Sequence, residues 1–401
     1  MRIAILYSHL REFGGAERIA LKQAELLRSR GDEATCFFAY VDARRLREDF
    51  ESQVSRSYFS FLIPNDETLR IMLSLPLAPS VSKVFKGMDV LLCHGYGPSP
   101  WIGYNTRRIA GVEYISYVHS IPRFLYLEPE ERRLWSRDSV RDKILPLGRF
   151  FQPLLEKIDR TGLVNSRFVL ANSRFTANNI KEIYDRRALV CYPFVDTSFF
   201  KPIREEELAQ EVHFKYKASR PLLLTTGRIA PIRRLEWLIE AMKSVVSEFP
   251  SANLVVTGEI SKGNMRYVHR LTRGASCLGI RKNIRFAGFV SGTELVKLYN
   301  SADVYVHSCP HEAFGLSPVE AMACGTPAVA WGDGAGPCET VIDGETGFTA
   351  KPYDVEDFAE KVMKALAMDK SAMRDLAPNY VKENFSCERH LKTLEDILRR
   401  L

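Results

Sequence analysis

Two hydrophobic periods alternate along the chain. Short runs rich in Val, Ile, Leu and aromatic residues stand at 3–7, 34–39, 90–93, 114–118, 168–171 and 189–191, and again at 222–226, 254–257, 284–287, 304–307 and 328–331. Most are continuously apolar rather than alternating, the pattern of strands covered on both faces. Between them apolar positions recur every three or four residues. Leu235, Leu238, Ile239, Met242, Val245, Val246 and Phe249 keep one helix face apolar over about four turns. Alternation of strand and helix predicts parallel sheets joined by right-handed crossovers.

The pattern runs twice. Strand 3–7 leads through Phe13-Gly14-Gly15-Ala16-Glu17 into a helix, and strand 222–226 leads through Gly227-Arg228 into another. Between the repeats lie Tyr192-Pro193-Phe194-Val195-Asp196 and the charged stretch 204–211. The expected fold is α/β, with two doubly wound parallel-sheet (Rossmann-like) domains, 1–198 and 199–380, facing a cleft. A C-terminal helix in 381–401, apolar at Leu391, Leu394, Leu398 and Leu401, could pack on either domain, including back on the first. Ligands of such sheets bind beyond the carboxyl ends of the strands, which makes the expected cleft the default site.

Composition narrows the class. Of the 401 residues 46% are hydrophobic, and 56 Lys and Arg stand against 49 Asp and Glu. That is a globular chain, and a net charge of +7 is too dilute for a nucleic-acid-binding stripe. Residues 1–200 carry +6 of that surplus, so an anionic partner is expected at the first half. The eight Cys form no C-x-x-C pair, which favours buried, reduced thiols over disulfides or zinc. The run after Arg2 is too short for a signal peptide. The longest apolar region, 71–93, is broken by Lys83, Lys86 and Asp89, so no membrane span is expected.

The most informative segment runs from Cys309 to Pro327. It follows a strand, passes through a loop containing Gly315, and enters a helix with Ser317 as the expected N-cap and Pro318 as its first residue. A helix N-terminus at a strand end aims backbone N–H groups and a positive dipole at whatever binds there. Glu320 has two readings: a capping-box partner of Ser317, or a carboxylate that accepts from two adjacent sugar hydroxyls. Glu312 precedes the loop and is not explained by capping. In Thr226-Gly227-Arg228-Ile229-Ala230-Pro231-Ile232-Arg233-Arg234 the planar cations Arg228 and Arg233 suit a diphosphate. A third small-residue turn, Gly332-Asp333-Gly334-Ala335-Gly336-Pro337, follows strand 328–331. His119, at the end of strand 114–118, is either structural or faces a sugar, donating to a hydroxyl or binding the acceptor. D-x-D, a metal-spaced His/Cys set, G-x-S-x-G and a P-loop are absent from the sequence, so no tightly held metal is expected.

Together these segments resemble glycosyltransferase family 4, retaining enzymes of the GT-B fold. The likeness takes in Gly14-Gly15-Ala16-Glu17, the His119 segment, Ala171-Asn172-Ser173-Arg174-Phe175-Thr176, Tyr192-Pro193-Phe194-Val195-Asp196 with Phe200-Lys201-Pro202, and Gly227-Arg228. Glu312 to Glu320 looks like the family's E-x7-E motif, and Asp343-Gly344-Glu345-Thr346-Gly347-Phe348 is similar to its D-G-x-T-G-x segment. The resemblance implies an acceptor-side first domain and a nucleotide-sugar-binding second domain. Glu320 would hold the donor ribose. Glu312 would hold the transferred sugar, with backbone N–H groups of Ala313, Phe314, Gly315 and Leu316. Arg228 and Arg233 would neutralise the diphosphate, and Gly14 and Gly15 would let a loop approach it. His119 would sit at the reacting sugar, and the backbone at Phe289 and Val290 would meet the base. The family's partner after Gly-Arg is Lys followed by Gly; Arg233 and Arg234 stand here, which puts the turn geometry in question.

The segment His119–Tyr126 looks most like mannosyltransferases of surface polysaccharide synthesis. It implies a GDP-mannose donor, a glycan or lipid-linked acceptor, and a cytoplasmic enzyme peripheral to the inner face of the plasma membrane. Basic and aromatic residues mixed through 123–151 would suit an anionic membrane surface. The other readings are a UDP-sugar donor, or a nucleotide-sugar-binding GT-B protein of different chemistry, an epimerase or a sugar-phosphate synthase. A nicotinamide oxidoreductase fits poorly, because G-x-G-x-x-G is missing after the first strand.

Overall fold

The computed structural model describes residues 1–10, 14–41, 54–57, 67–126, 141–203, 215–260, 262–290 and 292–401. They fall into two compact units. The first comprises Met1–Leu127, Pro146–Pro193 and Glu388–Leu401; the second is built around Phe194–Cys387. The division thus falls between Pro193 and Phe194, where the sequence reading sets it between 198 and 199.

The first unit holds a parallel sheet of β1 (Arg2–Leu10), β2 (Glu33–Val41), β3 (Val54–Ser57), β4 (Val90–His94), β5 (Glu113–Val118), β6 (Phe168–Ala171) and β7 (Leu189–Val190). Their order is β3-β2-β1-β4-β5-β6-β7. The connecting helices include α1 (Gly15–Ser29), α2 (Glu67–Ser74), α3 (Pro98–Ala110), α4 (Arg141–Val164), which belongs to this unit from Pro146 onward, and α5 (Arg174–Tyr184). Ile3, Ala4, Ile5 and Leu6 are at most 1% exposed, as continuous apolar strands between two helical layers must be.

The second unit repeats the plan with β8 (Leu222–Thr226), β9 (Asn253–Thr257), β10 (Ile284–Gly288), β11 (Val304–His307), β12 (Ala328–Trp331) and β13 (Gly347–Ala350), ordered β10-β9-β8-β11-β12-β13. Every neighbouring pair is parallel. Its helices include α6 (Leu235–Glu248), α7 (Met265–Cys277), α8 (Thr293–Ser301), α9 (Leu316–Ala323), α10 (Val355–Leu366) and α11 (Lys370–Phe385). The α6 stripe Leu235, Leu238, Ile239, Met242 and Val245 is buried against Trp331 and Phe358, whereas Phe249 lies beyond the helix and is 37% exposed.

In both sheets the strand order reverses beside the opening strand, between β1 and β4 and between β8 and β11. Loops leaving the carboxyl ends of such a pair go opposite ways and open a crevice, which sets where ligands bind in each unit. After α11 the chain turns at Ser386 into α12 (Cys387–Leu398), whose buried face, His390, Leu391, Leu394, Ile397 and Leu398, belongs to the first unit. Leu401, expected on that face, is 37% exposed.

All eight cysteines are free; Cys277 is exposed, Cys338 and Cys387 are half-buried, and the other five are buried. Among the described residues no helix is long and apolar enough to cross a membrane. The basic and aromatic side chains expected at 123–124 and 127–150 lie outside the described residues; Phe151, next to them, is exposed.

Candidate functional site

In the second unit the crevice beside β8 and β11 gathers the acidic and basic candidates. β8 ends at Thr226, and Gly227 follows with φ 120°. After a short 3-10 turn at Pro231–Arg233, the Arg233 guanidinium folds back on that strand end. Nη2 donates to the Thr226 carbonyl at 2.7 Å, and Nη1 donates to Glu312 Oε2 at 3.0 Å. A Cβ on Gly227 would stand 2.1 Å from Nη2, so glycine is what admits the guanidinium. Arg234 takes the left-handed conformation, φ 51°, where glycine is the usual residue, and its guanidinium lies 5.0 Å from the centre of the Trp237 ring. Arg228 is exposed on the same loop.

Glu312 lies beyond β11. His307 Nε2 stands 3.6 Å from Glu312 Oε2, and His307 is 2% exposed. Burial lowers the His307 pKa, with Glu312 acting the other way. Burial also opposes the charge on Arg233, but Cys309 and Glu312 outweigh it and raise its pKa. His307, Cys309 and Glu312 bring three donor atoms within 4.8 Å of one another. The sequence reading finds no such metal-spaced set. Arg233 already stands among the three, so a divalent ion there would face a fixed guanidinium at close range.

Glu320 corrects one expectation. α9 starts at Leu316 with Gly315 as N-cap in the left-handed region, φ 85°, and no side chain caps it. Ser317 and Pro318 fall inside the helix. The capping box is not formed. Glu320, 3% exposed, accepts from the Tyr299 hydroxyl at 2.8 Å. Tyr299 in turn shares a hydrogen bond of 3.0 Å with Thr226 Oγ1, which lies 3.2 Å from the Tyr305 hydroxyl. Both motif carboxylates are thus tied to the end of β8, Glu312 through Arg233 and Glu320 through Tyr299.

The third glycine turn supports the loop between them. Asp333 Oδ2 accepts from the His311 N–H at 2.9 Å, and the Gly336 N–H donates to the Glu312 carbonyl at 2.8 Å. A Cβ on Gly336 would meet Phe314 Cα at 2.3 Å, so the two loops pack backbone to backbone. Ala313, Phe314 and Gly315 are buried, and Leu316 is half-buried at the helix start, where first-turn N–H groups lack intrahelical acceptors. Phe289, 67% exposed, and half-buried Val290 follow β10, two strands from β8.

In the first unit Gly14 is the N-cap of α1 and Gly15 its first residue. His119 follows β5 and is half-buried. Its backbone carbonyl accepts from Asn172 Nδ2 at 2.8 Å. Its Nε2 lies 3.0 Å from His94 Nδ1, at the end of β4. His94 Nε2 is 2.8 Å from Gln23 Oε1, and Gln23 Nε2 is 2.8 Å from His390 Nε2 on α12. His390 Nδ1 is 2.7 Å from the Tyr192 carbonyl. Sequence reasoning missed Gln23, His94 and His390, as it missed Tyr299. A histidine closing a strand was the available signal at His94; partners 71 and 367 residues apart leave no local pattern.

A Glycosyltransferase Family 4 model matches residues 13–199, and a Glycosyl transferases group 1 model matches residues 208–380. A D-inositol 3-phosphate glycosyltransferase of Mycolicibacterium smegmatis is 27% identical over 59% of this chain and 54% of its own. A protein of the same name from Actinosynnema mirum is 27% identical over 76% of this chain and 71% of its own. The chain spans about half the length of the first of these relatives. Among solved structures, Alr3699/HepE of Anabaena in complex with UDP superposes over 100% of both chains, with TM-score 0.79 and 20% identity. Sucrose-phosphate synthase of Thermosynechococcus elongatus covers 99% of this chain and 98% of its own, with TM-score 0.77 and 19% identity. With both domains matched and the architecture shared, the chain belongs to the glycosyltransferases of family 4 and group 1, on the GT-B fold.

Proposed function

We propose that this protein is a retaining hexosyltransferase that moves a sugar, mannose from GDP-mannose in the first instance, to a glycan or lipid-linked saccharide. The observation that supports it is the pairing of Arg233 with Glu312 over the end of β8, with Glu320 anchored beside them. In this reading Glu320 accepts from the ribose diol, and Glu312 accepts from hydroxyls of the transferred sugar. Arg233 and Arg228 face the diphosphate. The bond from the anomeric carbon to the phosphate oxygen breaks as the acceptor oxygen bonds the same face of that carbon. The acceptor's proton passes to the departing phosphate, giving a nucleoside diphosphate and a glycoside of retained configuration.

Charge building on the diphosphate is the main demand, and each fixed donor that meets it is worth about 2.7–4 kcal/mol in such sites. The guanidinium groups carry that role without a resident metal. The backbone at Phe289 and Val290 meets the base, and Gly14 and Gly15 admit a close approach of ligand to the first unit. His119 of that unit takes a sugar hydroxyl. The relatives' name makes an inositol phosphate one acceptor to try.

The test is calorimetry with GDP, UDP and ADP, followed by turnover of GDP-mannose and UDP-glucose. Glu320→Gln should weaken nucleotide binding about tenfold, because one charge-assisted bond to the ribose is lost. Glu312→Gln should leave nucleotide binding within about twofold and depress transfer. Selective UDP binding would replace the mannose donor and keep the reaction class. A folded protein that binds no nucleotide, or two variants as active as the parent, would overturn the proposal.

A further inference from the structure

The hydrogen bonds behind His119 have a direction, and the direction can be read from one end. The Tyr192 carbonyl can only accept, so His390 Nδ1, 2.7 Å away, carries a proton. A neutral His390 then has a lone pair on Nε2. The Gln23 amide must donate to that lone pair from Nε2 at 2.8 Å. This turns Gln23 Oε1 toward His94, where it accepts from Nε2–H at 2.8 Å. His94 is left with a lone pair on Nδ1, and His119 Nε2, 3.0 Å from it, must be the donor. The series ends at His119 Nδ1, which is left as an acceptor.

We propose that the Tyr192 carbonyl, His390, Gln23 and His94 are positioning groups that hold His119 as its Nε2–H tautomer, so that Nδ1 presents a lone pair to a substrate hydroxyl. The sequence reading allows the same ring to donate. The relay reverses that role and assigns a part to α12, which no local motif connects with His119.

Each ring must stay neutral for the series to hold. Gln23 is 0% exposed, His94 1% and His390 3%. Burial, reinforced by the neighbouring rings, keeps His94 well below its ordinary pKa, and burial takes His119 down to about 3 and His390 to about 4. The Tyr117 ring walls the group, its centre 5.2 Å from that of His94 and 4.6 Å from that of His119. Its hydroxyl is engaged by the Cys191 carbonyl at 2.7 Å, so it does not enter the series.

The use of Nδ1 on a sugar hydroxyl rests on the function proposed above; the tautomer does not. It is read directly from long-range proton–nitrogen correlation spectra of the full chain labelled with 15N-histidine. His119 is assigned by the signals lost in His119→Ala. The expected spectrum gives His119 a pyrrole-type shift at Nε2 and a pyridine-type shift at Nδ1. Gln23→Leu severs the series, so the His94 and His119 shifts should move toward the average of both tautomers while His390 keeps its own. His94→Asn retains an acceptor oxygen toward His119 and should keep the single tautomer. An Nδ1–H or averaged His119 in the parent protein overturns the proposal, and so does a Gln23→Leu spectrum identical to the parent's. The parent spectrum decides the tautomer even where a variant does not fold. Failure to bind any nucleotide would overturn the functional reading and leave this one standing.

Discussion

Gly227 and Arg233 are one feature seen from two sides. The backbone there has φ 120°, and a methyl group would occupy the guanidinium's place. Gly227→Ala should therefore expel Arg233 from the Thr226 carbonyl and from Glu312, and weaken nucleotide binding about 10- to 100-fold, close to the loss in Arg233→Ala. Calorimetry on both variants checks this; a Gly227→Ala protein that binds like the parent would detach Arg233 from the nucleotide. Sequence shows two arginines at a strand end but not which one folds inward, because that choice depends on Glu312, 79 residues away. Glu320 teaches the same lesson. Ser317 and Glu320 have capping-box spacing, yet Gly315 takes the N-cap in a left-handed turn and Tyr299 takes the carboxylate. Local spacing cannot register a tyrosine on another helix.

Elements were legible where burial alone decides them. The runs 168–171, 222–226, 304–307 and 328–331 coincide with β6, β8, β11 and β12, since strands buried on both faces read as short, near-continuous apolar runs. β3 (Val-Ser-Arg-Ser) and β13 (Gly-Phe-Thr-Ala) escape that reading because both are edge strands, with little apolar sequence and one paired neighbour. Capping supplies a test at this scale. Ser173 Oγ accepts from the Thr176 N–H at 2.9 Å and starts α5, directly after the Asn172 that holds the His119 carbonyl. Ser173→Ala should cost about 1 kcal/mol of stability in urea unfolding. An unchanged midpoint would show that the cap is redundant with packing.

For the molecule as a whole, the buried histidines set a pH dependence. An unfolded chain protonates each near pH 6.5, whereas folded His390 holds off to about 4 and His119 to about 3. The unfolded state thus binds more protons across that window, so stability rises with pH there and is lost as pH falls from about 6.5 toward 4. Urea unfolding between about pH 7 and pH 5 should show this fall, and His390→Asn should make it shallower; equal slopes would remove His390 from the linkage. The two-domain plan was legible from the repeated strand–helix order, and the leucines of α12 marked it as a packing helix. What α12 brings to the first unit was not legible, because Gln23 and His390 meet across 367 residues. That separation has a consequence for biosynthesis. The first unit leaves the ribosome early, but α12 is translated only after the whole second unit. Until then the α1 surface that receives His390 stays open to solvent and to chaperones, and the two units cannot mature in simple succession. The first to be made is the later to be finished.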